Sequence, residues 1–234
     1  GQRKWYGNQT EVINWENDGH DIRNYRGAVL RADDCHFKST VTWNKISGVY
    51  VTFRYVPKGF VLESASNAIS VEYPESLLAL LQSKLSTIIA NILNATTNLS
   101  NGVVARFPLL TISDEALLSI VHQSISTAKK DWDAHETSWN FEENPLISIF
   151  KENGGTLKQA LDYFVEKWTD SFFELHDNEE ELNRQFIEMY GLQDELTKDV
   201  PLNEVTILQQ KEIKVENGQL KWNKDVILKQ LISY

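Results

Sequence analysis

The sequence predicts an α+β chain: a first part that contains β-strands, followed by a mostly helical part. Three observations carry this reading. Short runs rich in β-branched and aromatic residues fall between positions 40 and 62. Apolar residues recur at helical spacing from Leu77 onward. Near the end, Asn217–Gly218 separates two short apolar runs, the strongest hairpin signal in the chain.

Residues 1–25 are rich in Asn, Gly, Asp and Trp without a period and read as loop. Strands are predicted at 40–43, 49–55 and 60–62, punctuated by Ser47–Gly48 and by Pro57–Lys58–Gly59. Leu77, Leu81, Leu85, Ile88, Ile89 and Ile92 then define one core helix, with Pro74 suited to its first turn because proline lacks only a donor that is unused there. A short strand is expected at 103–106, stopped by Pro108. Ser113 can cap a helix that carries Leu117, Val121, Ile125 and Ala128 on one face. Residues 129–146 hold Trp132, His135, Trp139 and Asn144–Pro145 without a period and read as a structured loop. Thr156 can cap a long helix with Leu157, Leu161, Phe164, Val165, Trp168 and Phe172 on its buried side. A second helix is expected over 180–190, ended by Gly191, and the hairpin joins 213–215 to 220–222. There is no internal repeat. The natural division falls between a region of strands and a core helix at 1–110 and a helical region at 111–234 that closes with the hairpin and a short helix.

Composition narrows the function. With 41% hydrophobic and 24% charged residues in 234, the chain belongs with globular proteins and not with collagen-like or disordered ones. No stretch approaches the roughly 20 apolar residues that span a bilayer, so no membrane partner is expected. Cys35 stands alone, which precludes an internal disulfide and fits a reducing, cytoplasmic setting. The chain begins at Gly1 and has no methionine before Met189, and is expected to be a piece of something longer.

The net charge of −10 would repel a phosphate backbone, but it is unevenly placed. Residues 1–75 hold 9 Lys/Arg and 9 Asp/Glu, whereas 76–234 hold 14 and 24. The neutral segment can present a basic face from residues that include Arg3, Lys4, Lys38, Lys45, Arg54 and Lys58, while the acidic run around residues 178–181 reads as solvated helix face.

Free-standing catalysis has little support. There is no G-x-G-x-x-G, Walker loop or G-x-S-x-G, and the five histidines never fall at metal-ligand spacing, so no metal site is expected. Asp199 followed by Glu212–Ile213–Lys214 superficially satisfies a D…E-x-K nuclease pattern, but on a short hairpin those side chains are expected to face solvent.

Three aromatic clusters remain. Arg3–Lys4–Trp5–Tyr6–Gly7–Asn8 combines cations suited to phosphates, aromatics suited to stacking and an amide suited to adenine. Asn14–Trp15–Glu16–Asn17–Asp18–Gly19 and Thr42–Trp43–Asn44–Lys45–Ile46–Ser47 repeat the theme. By composition alone they fit a nucleic-acid surface, a carbohydrate surface or an aromatic core.

Their order is more specific. K-W-Y-G-N, then N-W-E-N-D-G, then T-W-N-K-I-S and F-R-Y-V-P-K-G-F resembles the target-recognition region of PglX-type adenine-specific DNA methyltransferases of BREX phage-defence systems, related to type IIG restriction enzymes. L-A-L-L-Q-S-K from Leu78, N-L-S-N-G-V from Asn98, K-D-W-D from Lys130, E-T-S-W from Glu136 and the stretch 180–196 resemble later parts of the same family, so the likeness runs over most of 3–200. Residues 32–37 and 63–72 match weakly, as expected where recognition varies with the target.

The resemblance implies a C-terminal DNA-recognition region of a restriction-modification-like enzyme that methylates adenine N6 with S-adenosylmethionine. Such enzymes hold the flipped base with an N-P-P-Y motif. This chain has none: its one Asn-Pro, Asn144–Pro145, is followed by Leu146–Ile147. The resemblance therefore implies a catalytic domain outside this chain, no cofactor within it, and double-stranded DNA, that N-terminal methyltransferase domain and other defence-system proteins as partners. In this reading Arg3, Lys4, Lys38, Lys45, Arg54 and Lys58 position phosphates. Asn8, Asn14, Asn44, Trp5, Tyr6, Trp15 and Trp43 contact bases or shape the loops that do. Weak, salt-dependent duplex binding is expected, reduced by Lys45→Ala together with Arg54→Ala. The alternative is a protein-interaction scaffold of the same defence system without DNA affinity of its own.

Overall fold

The computed structural model describes residues 2–28, 30, 35–44, 51–62, 66–94, 98–110 and 114–231. It is an α+β fold, as the sequence predicts: eight α-helices and two small antiparallel sheets among the described residues.

The chain enters through an extended segment and a helix α1, Glu16–Asn24, whose first turn is left-handed at Asn17, Asp18 and Gly19. Those are the residue types that tolerate positive φ, and the same three residues made this stretch read as loop. Strands β1 (Thr40–Asn44), β2 (Phe53–Val56) and β3 (Ser66–Ile69) form a sheet in the order β2-β1-β3. Val41 faces Tyr55 on one side and Ile69 on the other. The expected strand at 60–62 is irregular, and β3 takes the other edge of β1. Trp5 extends the sheet beyond β2: its N–H donates to the Phe53 carbonyl at 3.0 Å and its carbonyl accepts from Tyr55 at 2.7 Å.

The single core helix expected from Leu77 is two helices, α2 (Pro74–Gln82) and α3 (Lys84–Leu93), bent by 78° at Ser83. The Ser83 hydroxyl and N–H both return to the Leu80 carbonyl, which closes α2 and lets the chain turn. Among the described residues no single helix is long and apolar enough to cross a membrane. The strand expected at 103–106 is not formed: Val103 and Val104 belong instead to a one-turn helix α4 (Asn101–Val104) that buries both. β-branched residues gave a strand signal too short to overrule that burial.

Helix α5 (Glu115–Asp133) is capped by the Asp114 side chain, which accepts from the Ala116 N–H at 2.9 Å. Ser113, the expected cap, lies outside the described residues. α5 runs on through Trp132 into the stretch expected as loop, and α6 (Pro145–Asn153) follows with Asn144 as cap and proline in its first turn. The two helices expected after Thr156 are one, α7 (Leu157–Met189), opened by a capping box between Thr156 and Gln159. Asp177 and Asn178 weaken local propensity, but Leu175, Glu179 and Leu182 are buried on either side and carry the helix through. The hairpin β4 (Ile213–Glu216) and β5 (Gln219–Trp222) is in the expected register around Asn217–Gly218, and α8 (Lys224–Gln230) ends the described chain.

One contiguous core joins Trp5, Trp43 and Phe53 of the strand region to Leu117, Phe172 and Phe186 of the long helices and to Ile227 of α8. Buried polar contacts also cross position 110: Arg3 reaches Asp131, Lys4 reaches Glu179, and the Lys84 N–H donates to Asn183 at 2.7 Å.

Candidate functional site

The N-terminal cluster folds inward. The Arg3 guanidinium pairs with Asp131, donates to the Tyr6 carbonyl at 2.7 Å and to the Ala128 carbonyl at 3.1 Å, and lies 5.2 Å from the Trp132 ring centroid. Lys4 Nζ donates to Glu179 at 2.7 Å, and the Trp5 indole donates to the other oxygen of the same carboxylate at 2.8 Å. Trp43 is fully buried and its indole donates to the Leu99 carbonyl at 3.0 Å. Arg54 is 5% exposed and donates to Asn44 Oδ1 at 2.8 Å.

The expectation that Arg3, Lys4 and Arg54 form an outward basic face is therefore corrected. These cations sit inside the fold, because the acids that pair with Arg3 and Lys4 come from helices more than 120 residues away. The acidic run is corrected with them: Glu179 is 3% exposed and serves as the shared acceptor. Lys45 lies outside the described residues.

The remaining expected residues gather around one feature, a cleft of about 690 Å³ between the N-terminal segment, β2 with the turn after it, and the loop after α5. Asn8 lines it, and Asn14 sits between two further lining residues, Ile13 and Trp15. Lys38 follows Phe37 and Lys58 precedes Gly59, both in the wall. These two wall segments are joined by backbone bonds from the Phe37 N–H to the Phe60 carbonyl at 2.7 Å and from the Gly59 N–H to the Phe37 carbonyl at 3.2 Å. Asn8, Asn14, Lys38 and Lys58 are all exposed.

The cleft is aromatic. Trp15 and Phe37 meet edge to face with centroids 5.3 Å apart, and Trp139, 64% exposed, lines the cleft from the loop after α5. Phe37 has φ 62°, a left-handed conformation that costs a bulky side chain about 1–3 kcal/mol and persists only where the surroundings impose it. The two backbone bonds to the 59–60 segment impose it here.

Arg54 gives the cleft its unusual electrostatics. Both of its acceptors among the described residues are neutral, the Arg3 carbonyl at 3.4 Å and Asn44 Oδ1, and no carboxylate among those residues pairs with it. Burial, and then the nearby Arg3 charge, push its pKa down to about 10, which still leaves it cationic at neutral pH. Beside it in the wall, both amide atoms of Gln9 are buried without a hydrogen-bond partner. A buried cation and a buried amide left unsatisfied each cost free energy that a polar ligand would recover. Glu11, exposed in the wall, is the opposing charge.

Sequence reasoning missed Gln9 and Phe37, and gave no role to Phe60, which closes the F-R-Y-V-P-K-G-F run. The signal that could have found the first two is only their adjacency to Asn8 and Lys38. The D…E-x-K pattern does not assemble into a solvent-facing set: Glu212 is buried, held by His135 at 2.7 Å and Gln230 at 3.0 Å. No group of three or more His, Cys, Asp or Glu among the described residues could hold a metal ion.

Fold and cleft thus define an α+β module with a strand-built aromatic cleft braced by long helices. Comparison with known proteins places it more closely. The adenine-specific methyltransferase PglX of Lacticaseibacillus casei (strain Zhang) is 32% identical over 217 residues, which cover 88% of this chain and 18% of that protein. The adenine-specific methyltransferase BrxX of Escherichia coli O9:H4 (strain HS) is 30% identical over 240 residues, covering 99% of this chain and 19% of that protein. No family model matches. The chain is a homologue of one region of PglX-type adenine-specific methyltransferases, and it spans less than a fifth of the length of these relatives.

Proposed function

We propose that this chain is the DNA-recognition part of an adenine-specific (N6) DNA methyltransferase of a BREX-type phage-defence system. It positions duplex DNA for a catalytic domain outside this chain, in the cytoplasm. The observation that carries the reading is the match along nearly the whole chain to two proteins named as adenine-specific methyltransferases, in a sequence that has no N-P-P-Y motif. Two features support placing S-adenosylmethionine outside this chain: both sheets among the described residues are antiparallel, and Gly154–Gly155 leads into α7 from the end of α6 and not from a strand. The cofactor belongs to the catalytic domain.

Lys38 and Lys58 are the exposed cations of the cleft rim and take the phosphate-positioning role, with Asn8 and Asn14 beside them as candidates for base edges. The acid excess lies on the helical half, where it can face the rest of the protein and leave the rim to DNA.

Fluorescence anisotropy of a labelled duplex over a salt series tests the reading. Weak binding that falls steeply with salt supports it, because released counterions drive such binding. No affinity at the lowest salt sinks it and favours the protein-interaction scaffold.

A further inference from the structure

The cleft holds more than a phosphate-facing rim requires. It is a concave volume of about 690 Å³, within the usual range for small-molecule sites. Its lining carries aromatic rings from separate segments, Trp15 and Phe37, which touch each other, and Trp139 of the loop after α5. Arg54, a buried guanidinium without an anionic partner among the described residues, lines the same space, as does Gln9, whose amide has no hydrogen-bond partner among them.

A buried cation without a counter-ion is normally replaced by a neutral residue or paired, since its desolvation is otherwise uncompensated. Its retention beside aromatic walls calls for a ligand that is anionic at one end and planar and polar at the other. A nucleotide has that chemistry. Its phosphate can take a guanidinium bidentately, its base can stack on an aromatic ring, and a purine edge offers the adjacent donor and acceptor that a glutamine amide matches. Duplex DNA with every base stacked cannot supply this, because a base stacked on both neighbours has no free face for an aromatic ring.

We propose that the cleft is a nucleotide-binding site that takes one unpaired nucleotide, its base against Trp139 and the Trp15–Phe37 wall and its phosphate on Arg54. The nucleotide comes either from a free mononucleotide or from an extrahelical position in a DNA strand. The site rests on the DNA-recognition reading only for the second source. Phe37, held in a strained conformation by the 59–60 segment, fixes the wall before the ligand arrives, which lowers the ordering cost of binding. Glu11 opposes the anion and limits affinity, so Glu11→Gln tightens binding.

Calorimetric titration of the 234-residue chain with dAMP, deoxyadenosine and inorganic phosphate tests the site itself. The expected result is that dAMP binds at least about tenfold more tightly than either half alone, since both ends of the ligand are held. Trp139→Ala, at an exposed position, weakens dAMP about tenfold. Arg54→Gln leaves dAMP no tighter than deoxyadenosine, while the melting temperature holds or rises because an unpaired buried charge has gone. A second arm compares a fully paired duplex with one that carries a single unpaired nucleotide. A gain from the unpaired nucleotide that Trp139→Ala abolishes assigns the source to DNA; dAMP binding without that gain assigns it to free nucleotides, and both uphold the site. No dAMP binding at millimolar concentration together with no gain from the unpaired nucleotide overturns it, even where the paired duplex binds and the DNA-recognition reading stands. Loss of duplex binding with dAMP binding intact sinks that reading and keeps the site. Affinities unchanged by both substitutions also overturn the assignment.

Discussion

Lys4 and Glu179, 175 residues apart, form a buried ion pair with Nζ and Oε2 separated by 2.7 Å. The second oxygen of the same carboxylate accepts the Trp5 indole N–H at 2.8 Å. One acid in the middle of the longest helix thus fixes two successive residues of the entering chain, and Trp5 in turn extends the sheet that carries Arg54. Trp5 itself has φ 67°, so its backbone is strained and these contacts are what hold it there.

Glu179→Ala removes the acceptor of the Lys4 ammonium among the described residues and leaves a buried charge unpaired. The expected loss in urea denaturation is about 3–5 kcal/mol. Lys4→Met combined with Glu179→Leu should cost clearly less than Glu179→Ala alone, since both charges are gone. Equal losses would show that the pair acts by packing and not by charge.

The His135–Glu212 pair makes stability depend on pH. Burial works against the His135 charge, but the hydrogen bond to Glu212 and the carboxylates of Asp131 and Glu212 outweigh it and hold the imidazole pKa above 6.5. Geometry agrees: Nδ1 lies 2.7 Å from the Asp131 carbonyl and Nε2 2.7 Å from Glu212, so both nitrogens must donate, which requires the protonated ring. Burial likewise opposes the Glu212 charge, and the hydrogen bonds from His135 and Gln230 still draw its pKa below 4.5. For the raised histidine, the stabilising contribution is complete below the ordinary imidazole value and is lost as pH rises through the folded value. For the lowered glutamate, it is complete above the ordinary carboxyl value and is lost as pH falls through the folded one. The urea midpoint should therefore fall as pH rises from the ordinary imidazole value through the raised folded one, and His135→Gln should flatten that decline. A decline of unchanged slope in the variant would remove His135 from the account.

Lys38→Ala with Lys58→Ala should weaken duplex binding across sequences and reduce the slope of log affinity against log salt by about 2, one phosphate contact for each cation. Both side chains are exposed, so the melting temperature should not move. An unchanged slope would place the phosphate contacts elsewhere. This pair replaces Lys45 and Arg54 as the test, because a loss at buried Arg54 would not distinguish a binding defect from an altered fold.

Gly7→Ala should destabilise the entry segment. Gly7 has φ 119°, and a Cβ there would lie 2.5 Å from Arg3 Nε and 2.9 Å from the Trp132 ring. Arg3 must then shift away from Asp131, at a cost of about 1–3 kcal/mol by denaturation. A neutral result would mean that the segment has room to move, and that the Arg3–Asp131 pair does not depend on close packing against Gly7.

The local elements were legible where one rule acts over a few residues. Asn217–Gly218 specifies its hairpin, Thr156 and Gln159 specify the start of α7, and β1 at Thr40–Asn44 follows from its β-branched and aromatic run. The order of aromatic and amide clusters carried the family resemblance, which the two relatives support over most of the chain. The break at Ser83 was hidden, because apolar residues keep helical spacing across it and only packing shows that the axis turns by 78°. The continuity of α7 through Asp177 and Asn178 was hidden for the opposite reason: local propensity falls while burial of Leu175, Glu179 and Leu182 persists.

The sequence by itself determined the α+β class, the hairpin, the Thr156 cap of α7 and the positions at which cations and aromatics cluster, since these depend on neighbours in the chain. Only the tertiary structure decided which of those residues face outward. Arg3 and Lys4 carry the same charge as Lys38 and Lys58, yet the first two are buried and the last two exposed. The difference is the acids that α5 and α7 bring to Arg3 and Lys4, Asp131 and Glu179, and a carboxylate more than 120 residues away leaves no trace in the local pattern. Arg54 was given no such acid among the described residues, and that lack of an anionic partner among them, visible only once the chain is folded, is what turns a strand residue into the charged wall of a cleft.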